Sequence, residues 1–241
     1  MSLPRNHLLA ALPIAERRPF TSQGDRVELK RGQVLMDLAD QPRHAYFPEG
    51  GLISLVGQTT DGRVVELLHT GREGMVGISI LLQGDAAIAR AVVQIPATAC
   101  RVRADILREE LRRRGSLERL LLRYTYTLLR QLAQSMTCIS VHSSERRFAR
   151  WLLEAHDRVG DTTIQLTQAM IADLLGVQRG HVSSTAANWQ DVGLIRVRHG
   201  KIRIVNRRGL ESRACECYSA TKAELAGFET ALSNTGTNGG T

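Results

Sequence analysis

The sequence predicts an α+β protein with three consecutive parts: an antiparallel β-sandwich or jelly roll, a long helix, and a small helical domain that ends in a β-hairpin. Three observations predict this order. Short runs of Val, Ile, Leu and aromatic residues, separated by glycines, fill roughly the first 110 residues. From Asp105 onward there is no proline, and Gly115 is the only glycine before Gly160. Two short helical patterns around Gly176 then precede an alternating, strongly basic segment.

The composition limits the classes of function. The chain has 241 residues, 43% of them hydrophobic, which is enough for two modest cores joined by a connector. A formal net charge of +8 favours a polyanionic partner such as nucleic acid. The apolar runs are shorter than the ~20 residues that a membrane span needs. The N-terminus also lacks the apolar core of a signal peptide, so we expect a cytoplasmic protein without a membrane partner.

The first part, residues 1–115, predicts the β-sandwich. Its candidate strands lie in "RVELKRGQVLM", "HAYFPEGGLISLVGQ", "VVELLHTG" and "AIARAVVQIPATACRVRA". Glycines interrupt these runs every ~8–12 residues, which is typical of antiparallel sandwiches and barrels. Ahead of them, "NHLLAALP" predicts a short helix that stops at Pro13.

The second part, residues 116–144, predicts a long helix with two apolar rows. One row follows the alternating steps of four and three of a coiled-coil seam: Leu121, Thr125, Leu128, Leu132, Ser135, Ile139 and His142. A second row lies beside it: Leu122, Leu129 and Met136. We expect one row to face the protein's own sandwich and the other to meet a second copy. The predicted homodimer interface consists of Leu121, Leu128, Leu132 and Ile139. The alternative is a helix that is buried within one domain.

The third part, residues 145–215, predicts a helix-turn-helix. Thr167 is a candidate N-cap, and Gly176 can adopt the left-handed conformation that ends a short helix. A second helix follows after a tight turn and ends at Gly193. Its apolar residues recur at helical spacing: Val182, Ala186 and Trp189.

A basic β-hairpin follows the helix-turn-helix. In "LIRVRHGKIRIVNRRG" apolar residues alternate with Arg and Lys on both sides of "HGK", which predicts two strands with one apolar and one basic face. From Val192 to Leu210 there are six Lys and Arg and no Asp or Glu, and from Arg146 to Arg213 there are twelve against six. A helix-turn-helix with such a wing indicates a domain that binds double-stranded DNA and neutralises its phosphates.

The order of these parts resembles the Crp/Fnr family of bacterial transcription regulators over roughly residues 14–210. "EGMVGISILL" at residues 73–82 is similar to the family's phosphate-cassette region, and "ARAVVQIPATACRV" at 89–102 to the strands that follow it. "SSERRFARWLL" at 143–153 is similar to the start of its DNA-binding domain. The resemblance implies a cyclic-nucleotide-binding-like sensor domain, a long dimerisation helix, RNA polymerase as a partner and an unidentified small-molecule effector.

The resemblance extends poorly to the ligand. In the members that bind cyclic AMP, a Gly-Glu pair contacts the ribose, an Arg-Ser pair contacts the phosphate, and polar residues of the long helix contact adenine. Here the ribose carboxylate, the serine hydroxyl and the polar adenine contacts are missing, and only the arginine is kept. We therefore predict an effector other than cyclic AMP. The residues at these positions, which outline a possible effector pocket, are Gly77, Ile78, Arg90, Ala91, Leu132 and Ala133.

The cysteines and histidines predict no metal and no cofactor. The cysteines are too sparse for a disulfide framework, so we expect thiols: Cys100, Cys138, Cys215 and Cys217. An oxygen-sensing iron–sulfur cluster needs about four thiolates, several of them near the N-terminus, where this chain has none. The Cys-x-Cys pair of "ACECY" has no second pair and no nearby histidine in the sequence. Lone histidines are more often packing or surface residues than haem ligands: His44, His69 and His142.

Candidate base contacts lie in the N-terminal half of the second helix, which is the part that enters the major groove. Arg179 is the first candidate, because its guanidinium can donate to O6 and N7 of a guanine and because it matches an arginine that family members use on DNA. Gly180 and Ser184 stand where family members have Glu and Arg, so the operator should differ. The predicted base contacts are Gln178, Arg179, His181, Ser183 and Ser184. The predicted phosphate contacts are Thr167, Arg198, Lys201 and Arg203.

Two other classes of function compete with sequence-specific DNA recognition. The sequence contains no G-x-S-x-G, H-E-x-x-H, Walker or G-x-G-x-x-G pattern, so no enzyme is predicted. The second alternative is a small-molecule- or redox-responsive dimer that binds RNA or DNA without sequence preference, although 4% aromatic residues leave little for base stacking.

The sequence of residues 216–241 predicts a helical extension and a disordered tail, "SNTGTNGGT".

Overall fold

The computed structural model describes residues 4–160 and 163–237. Within this part of the chain no helix is both long and apolar enough to cross a lipid bilayer.

The antiparallel β-sandwich predicted for the N-terminal part is confirmed. One sheet has the strand order β1-β7-β3 and the other β2-β6-β4-β5. Side chains from both sheets, among them Leu29, Ile53 and Val93, share one apolar core. The strands are β1 (Asp25–Leu29), β2 (Val34–Met36), β3 (His44–Pro48), β4 (Leu52–Gln58), β5 (Val64–Thr70), β6 (Arg90–Ile95) and β7 (Ala97–Arg103).

Two short helices precede the sandwich. The predicted helix is α1 (His7–Ala11), whose start is capped by the Asn6 side chain and which ends before Pro13. The sequence did not predict α2 (Ile14–Gln23), which contains a proline in its second turn.

The proline-free stretch folds into three helices: α3 (Ala104–Arg112), α4 (Ser116–Val141) and α5 (Ser144–Val159). Gly115 has no side chain to cap the start of α4, and Glu16 of α2 does so instead. Its carboxylate oxygens accept from the backbone N–H groups of Ser116 at 3.0 Å and Leu117 at 2.9 Å. At the other end of α4, Ser143 caps the start of α5, so the chain turns between the two helices.

The predicted helix-turn-helix and wing are confirmed. Thr167 caps α6 and Gly176 ends it with a φ of +64°, as the sequence predicts. The wing is an antiparallel hairpin whose turn residues, His199 and Gly200, both have positive φ, the conformation of a two-residue type I′ turn. The elements are β8 (Thr163–Ile164), α6 (Gln168–Leu175), α7 (Arg179–Asp191), β9 (Ile195–Arg198) and β10 (Lys201–Ile204).

The DNA-binding domain packs directly against the four-stranded sheet. Leu52, Val56 and Ile95 of the sandwich belong to the same apolar core as α5, α6 and α7. The indole N–H of Trp151 in α5 donates to Glu66 Oε1 on β5 at 2.8 Å. The two domains therefore share a core and a buried polar contact.

The C-terminal segment forms α8 (Arg207–Glu211) and α9 (Cys217–Thr237). Phe228 and Leu232 of α9 join the apolar core of α1 and α4, and the Phe228 ring lies 5.9 Å from that of Tyr124. The prediction of a disordered tail is wrong for residues 233–237, because the chain remains helical as far as Thr237. Residues 238–241 lie outside the described part.

Candidate nucleic-acid interface

The first turn of α7 presents polar side chains to solvent. Gln178 is its N-cap but makes no capping hydrogen bond with its side chain, and Arg179 begins the helix. Both are exposed, as are His181 and Ser184. The opposite face of α7 is held in the core by Val182, Ala186 and Trp189. This packing fixes which side of the helix can meet DNA.

Two of the predicted contact residues have roles within the domain. Ser183 Oγ donates to Gln168 Oε1 at 2.9 Å, which ties α7 to the first turn of α6. Thr167 Oγ1 accepts from the backbone N–H of Met170 at 3.2 Å as the cap of α6. Thr167 also lies close to the wing turn, since a Cβ placed on Gly200 would be 3.3 Å from its methyl carbon.

The wing has one apolar and one basic face, as predicted. Ile195, Ile202 and Ile204 are buried, whereas Arg198 and Lys201 lie opposite each other beside the turn. The exposed cations of α7, the wing and α8 form no ion pair with any residue that the structure describes: Arg179, Arg196, Arg198, Lys201, Arg203 and Arg208.

Arg207 belongs to the same basic run but points inward. Its guanidinium donates to Asp157 Oδ1 at 2.7 Å and to Glu211 Oε1 at 3.0 Å, and it also bonds the hydroxyl of Tyr218. Sequence counts do not distinguish this structural arginine from Arg208, which is exposed.

The predicted dimer interface requires a correction. Leu121 and Leu128 are 0% and 7% exposed, because they pack into the core between α4 and the protein's own sandwich, and Leu132 packs against the same core. Of the four predicted interface residues, Ile139 is exposed. The other apolar row of the sequence lies on the opposite face of α4 and is exposed by 52% at Leu122, 61% at Leu129 and 71% at Met136. Three further exposed residues give the row alternating steps of four and three residues: Tyr126, Ala133 and Ser140.

The residues of the possible effector pocket are divided between different surroundings. Ile78 and Leu132 contribute to one apolar core, and Ala91 to the core between the two sheets. Ala133 lines a shallow groove between α4 and α9. Arg90 Nη1 donates to Gln58 Oε1 at 3.1 Å, and its Nε lies 3.7 Å from Asp37. Gly77 has a φ of +105° where the chain turns into a short 3-10 segment.

A buried ionic network lies where the two domains meet. His69 lies between two carboxylates, with Nδ1 2.8 Å from Glu66 and Nε2 3.6 Å from Glu154 of α5. Burial raises the pKa of Glu66, but His69, Ser54 and Trp151 bind the carboxylate and leave this pKa below its ordinary value. His69 therefore has a place in an interdomain contact, which sequence reasoning missed because its partner on α5, Glu154, is distant along the chain.

The fold brings a third thiol and a histidine to the Cys-x-Cys pair, which has neither nearby in the sequence. Cys138 at the end of α4 lies 3.5 Å from Cys215, measured between the sulfur atoms. His142 Nδ1 lies 3.6 Å from Cys217 Sγ. All four residues precede or follow the DNA-binding domain in the chain, and the packing of α9 on α4 brings them together. A count of cysteines with their neighbours in sequence could not show this.

Two family models match the chain. The model of the Crp-like helix-turn-helix domain matches residues 146–213, and the model of the cyclic nucleotide-binding domain matches residues 26–114. A comparison with curated proteins found no match.

The architecture is similar to that of solved transcription regulators. FixK2 from Bradyrhizobium japonicum is 18% identical with a TM-score of 0.68, over 80% of this chain and 98% of that chain. A CRP-family regulator from Thermus thermophilus is 22% identical with a TM-score of 0.65, over 78% and 96%. The c-di-GMP responsive global regulator CLP from Xanthomonas campestris is 14% identical with a TM-score of 0.63, over 80% and 100%. These likenesses show the fold.

The cyclic nucleotide-binding domain precedes α4, and the Crp-like helix-turn-helix domain follows it. The latter contains the confirmed helix-turn-helix and wing. The chain therefore belongs to the Crp/Fnr family of transcription regulators, with an N-terminal cyclic-nucleotide-binding-like domain and a C-terminal helix-turn-helix DNA-binding domain.

Proposed function

We propose that the chain acts as a homodimer that binds an inverted-repeat operator, with the first turn of α7 from each copy in the major groove. The observation that carries this proposal is the exposed basic surface of α7 and the wing, whose cations form no ion pair within the described residues. Cations without a protein partner can neutralise phosphates without first breaking an internal ion pair. Two copies of one domain related by a two-fold axis match a palindromic site.

The proposal divides the surface into base contacts and phosphate contacts. Arg179 has the long, forked donor that a guanine requires, and Gln178 and His181 flank it on the same exposed turn. Arg198, Lys201 and Arg203 lie on the wing, where phosphate contacts fix the position of the domain on the duplex. We place Ser184 among the base contacts as well. Because Ser183 already ties α7 to α6 and Thr167 caps the start of α6, we give them a supporting role.

The dimer would form through the exposed row of α4. From Leu122 to Ser140 this row is about 27 Å long at the rise of an α-helix. It is continuous and lies opposite the face that packs on the sandwich. The same row on a second copy supplies matching apolar side chains at coiled-coil spacing, which is the arrangement that buries both rows at once.

The effector stays unidentified, and we propose that it is not cyclic AMP. Ile78 and Ala91 are 8% and 0% exposed in apolar cores, and neither side chain offers a hydrogen bond to a ribose or a phosphate. The guanidinium of Arg90 is already engaged by Gln58 and Asp37. RNA polymerase stays a predicted partner on the basis of the family resemblance. The comparisons do not favour the alternative of binding RNA or DNA without sequence preference.

The direct test is selection of binding sites from randomised double-stranded DNA with the full-length protein. We expect an inverted repeat whose half-sites are separated by about one helical turn, or ~34–36 Å. Competition with duplex RNA of the same length is the control, and it should leave DNA binding intact. A selected pool without two-fold symmetry, or equal affinity for the RNA, would exclude the proposal.

A further inference from the structure

We propose that Cys138, His142, Cys215 and Cys217 form a tetrahedral site for a zinc ion. Cys138 lies in the last turn of α4, His142 directly follows this helix, and the other two cysteines lie where the chain enters α9. This site is independent of the proposed operator binding, because it lies outside the helix-turn-helix and the wing.

The four ligand atoms already have the spacing of a metal site. One ligand atom from each residue can be chosen so that all lie within 4.8 Å of one another. The two distances within the pairs are 3.5 Å between the sulfurs of Cys138 and Cys215 and 3.6 Å between Cys217 Sγ and His142 Nδ1. Zinc bonds of about 2.3 Å to sulfur and 2.0–2.1 Å to nitrogen place tetrahedral ligands about 3.8 Å apart for two sulfurs and about 3.6 Å for sulfur and nitrogen.

The surroundings of the histidine are those of a metal ligand. His142 Nε2 lies 3.0 Å from the carboxylate of Glu216, so this nitrogen carries the proton and the Nδ1 lone pair points toward Cys217. A carboxylate behind the imidazole fixes the tautomer and raises the basicity of the ligating nitrogen. Gln134 donates a second supporting hydrogen bond, from Nε2 to Cys217 Sγ at 3.0 Å.

Burial and charge also fit a zinc ion with three thiolates. Cys138, Cys215 and Cys217 are 0%, 2% and 1% exposed and form a cluster separate from the hydrophobic cores. Three thiolates and a neutral imidazole leave zinc with a net charge of about −1. Arg147 and Arg150 of α5 interact electrostatically with Cys138 and Cys215 and balance this charge.

Two other uses of these residues fit the geometry less well. A disulfide between Cys138 and Cys215 would use two of the four residues and give no role to His142, which Glu216 orients toward Cys217. An iron–sulfur cluster places several iron and sulfide ions between its ligands, so its ligands must be farther apart than 4.8 Å. A single tetrahedral ion uses all four ligands at the distances observed.

The site lies where the chain enters and leaves the DNA-binding domain. The chain leaves α4 at His142 and returns at Cys215, and the whole DNA-binding domain, residues 146–213, lies between these points. A zinc ion would therefore join the two ends of this domain to the end of the long helix. Because the ion binds the folded chain, it should also stabilise it.

The test is metal analysis of the full-length protein, purified under reducing conditions from cells grown with zinc. We expect about one zinc per chain in the wild type and in Cys100→Ser, whose cysteine lies in the sandwich away from the site. Cys215→Ser and Cys217→Ser should lose the zinc. Glu216→Gln should keep the ligands but bind zinc about 10- to 100-fold more weakly.

A second measurement does not depend on the folding of any variant. Cobalt(II) added to the metal-free wild type should give the thiolate-to-cobalt absorption of a tetrahedral site, and zinc should then displace the cobalt. Zinc should also raise the Tm of the metal-free wild type. The proposal is overturned by a wild type without zinc and without the cobalt spectrum, by an iron–sulfur chromophore, by a native Cys138–Cys215 disulfide, or by equal zinc in the wild type and Cys215→Ser.

Discussion

Glu73 and Arg158 form a buried ion pair that joins the sandwich to the first helix of the DNA-binding domain. Arg158 Nε donates to Glu73 Oε1 at 2.7 Å, and the two side chains are 5% and 8% exposed. The backbone N–H of Gly71 donates to the same carboxylate oxygen at 3.0 Å. Glu73 opens the segment at residues 73–82 whose sequence resembles the phosphate cassette, and the ion pair attaches this segment to α5.

Arg158→Met should lower the free energy of unfolding by about 3–5 kcal/mol, because it leaves a buried carboxylate without its partner. Denaturation in urea measures this change. The control is Arg112→Met, which breaks an exposed pair with Glu109 at 2.8 Å and should cost less than about 1 kcal/mol. An equal decrease in the free energy of unfolding in the two variants would show that burial does not determine how much an ion pair contributes to stability.

Stability should fall in acid because of the same interface. Burial raises the pKa of Glu73, but the charge and hydrogen bond of Arg158 outweigh it and hold this pKa below the ordinary 4.5. Between the native and the ordinary pKa of Glu73, the unfolded chain binds more protons than the folded chain. The contribution of Glu73 to the free energy of unfolding is therefore complete above about pH 5 and is lost as the pH falls through the native pKa. Unfolding free energies measured from about pH 7 to pH 3 should decline less steeply in Glu73→Gln than in the wild type. Identical slopes would contradict this.

Leu122→Glu combined with Leu129→Glu should convert the dimer into a folded monomer, because like charges would face each other across the exposed row of α4. Analytical ultracentrifugation measures the change. Leu128→Ala is the matched control on the buried face, and it should cost about 2–5 kcal/mol of stability but keep the dimer. A dimer that persists in the double variant would place the interface elsewhere.

Arg179→Ala and Lys201→Ala should weaken DNA binding in different ways. Loss of the Arg179 fork should cost about 1–3 kcal/mol on the selected operator and abolish the preference at one base pair of each half-site. Lys201→Ala should weaken operator and random DNA alike and lower the slope of log affinity against log salt by about one for each phosphate that is no longer neutralised. Lys30→Ala, on the sandwich, should change neither. If Arg179→Ala changes only the salt slope, Arg179 contacts phosphate rather than a base.

Cyclic AMP should neither bind tightly nor increase affinity for the operator. Each missing hydrogen bond to the ribose, phosphate or base removes about 1 kcal/mol, and more where a polar group of the ligand is left buried without a partner. Titration calorimetry with the full-length protein measures the binding. Micromolar affinity together with tighter operator binding would overturn the prediction.

The elements that the sequence predicted correctly depend on neighbouring residues. Thr167 and Gly176 limit α6 by local capping, and the wing follows from the alternation of Ile and Arg around His199-Gly200. These signals act over a few residues, so they are visible without the rest of the fold. The β-sandwich was predicted for the same reason, from apolar runs between glycines.

The tertiary structure decided what the sequence left open. Both apolar rows of α4 have coiled-coil spacing, and only the packing of the sandwich shows that Leu128 faces inward and Leu129 outward. Cys138 and Cys215 are 77 residues apart in the chain and 3.5 Å apart between their sulfurs, because α9 returns along α4. Periodicity fixes the angle between residues on one helix, but contacts between distant segments depend on how whole elements pack.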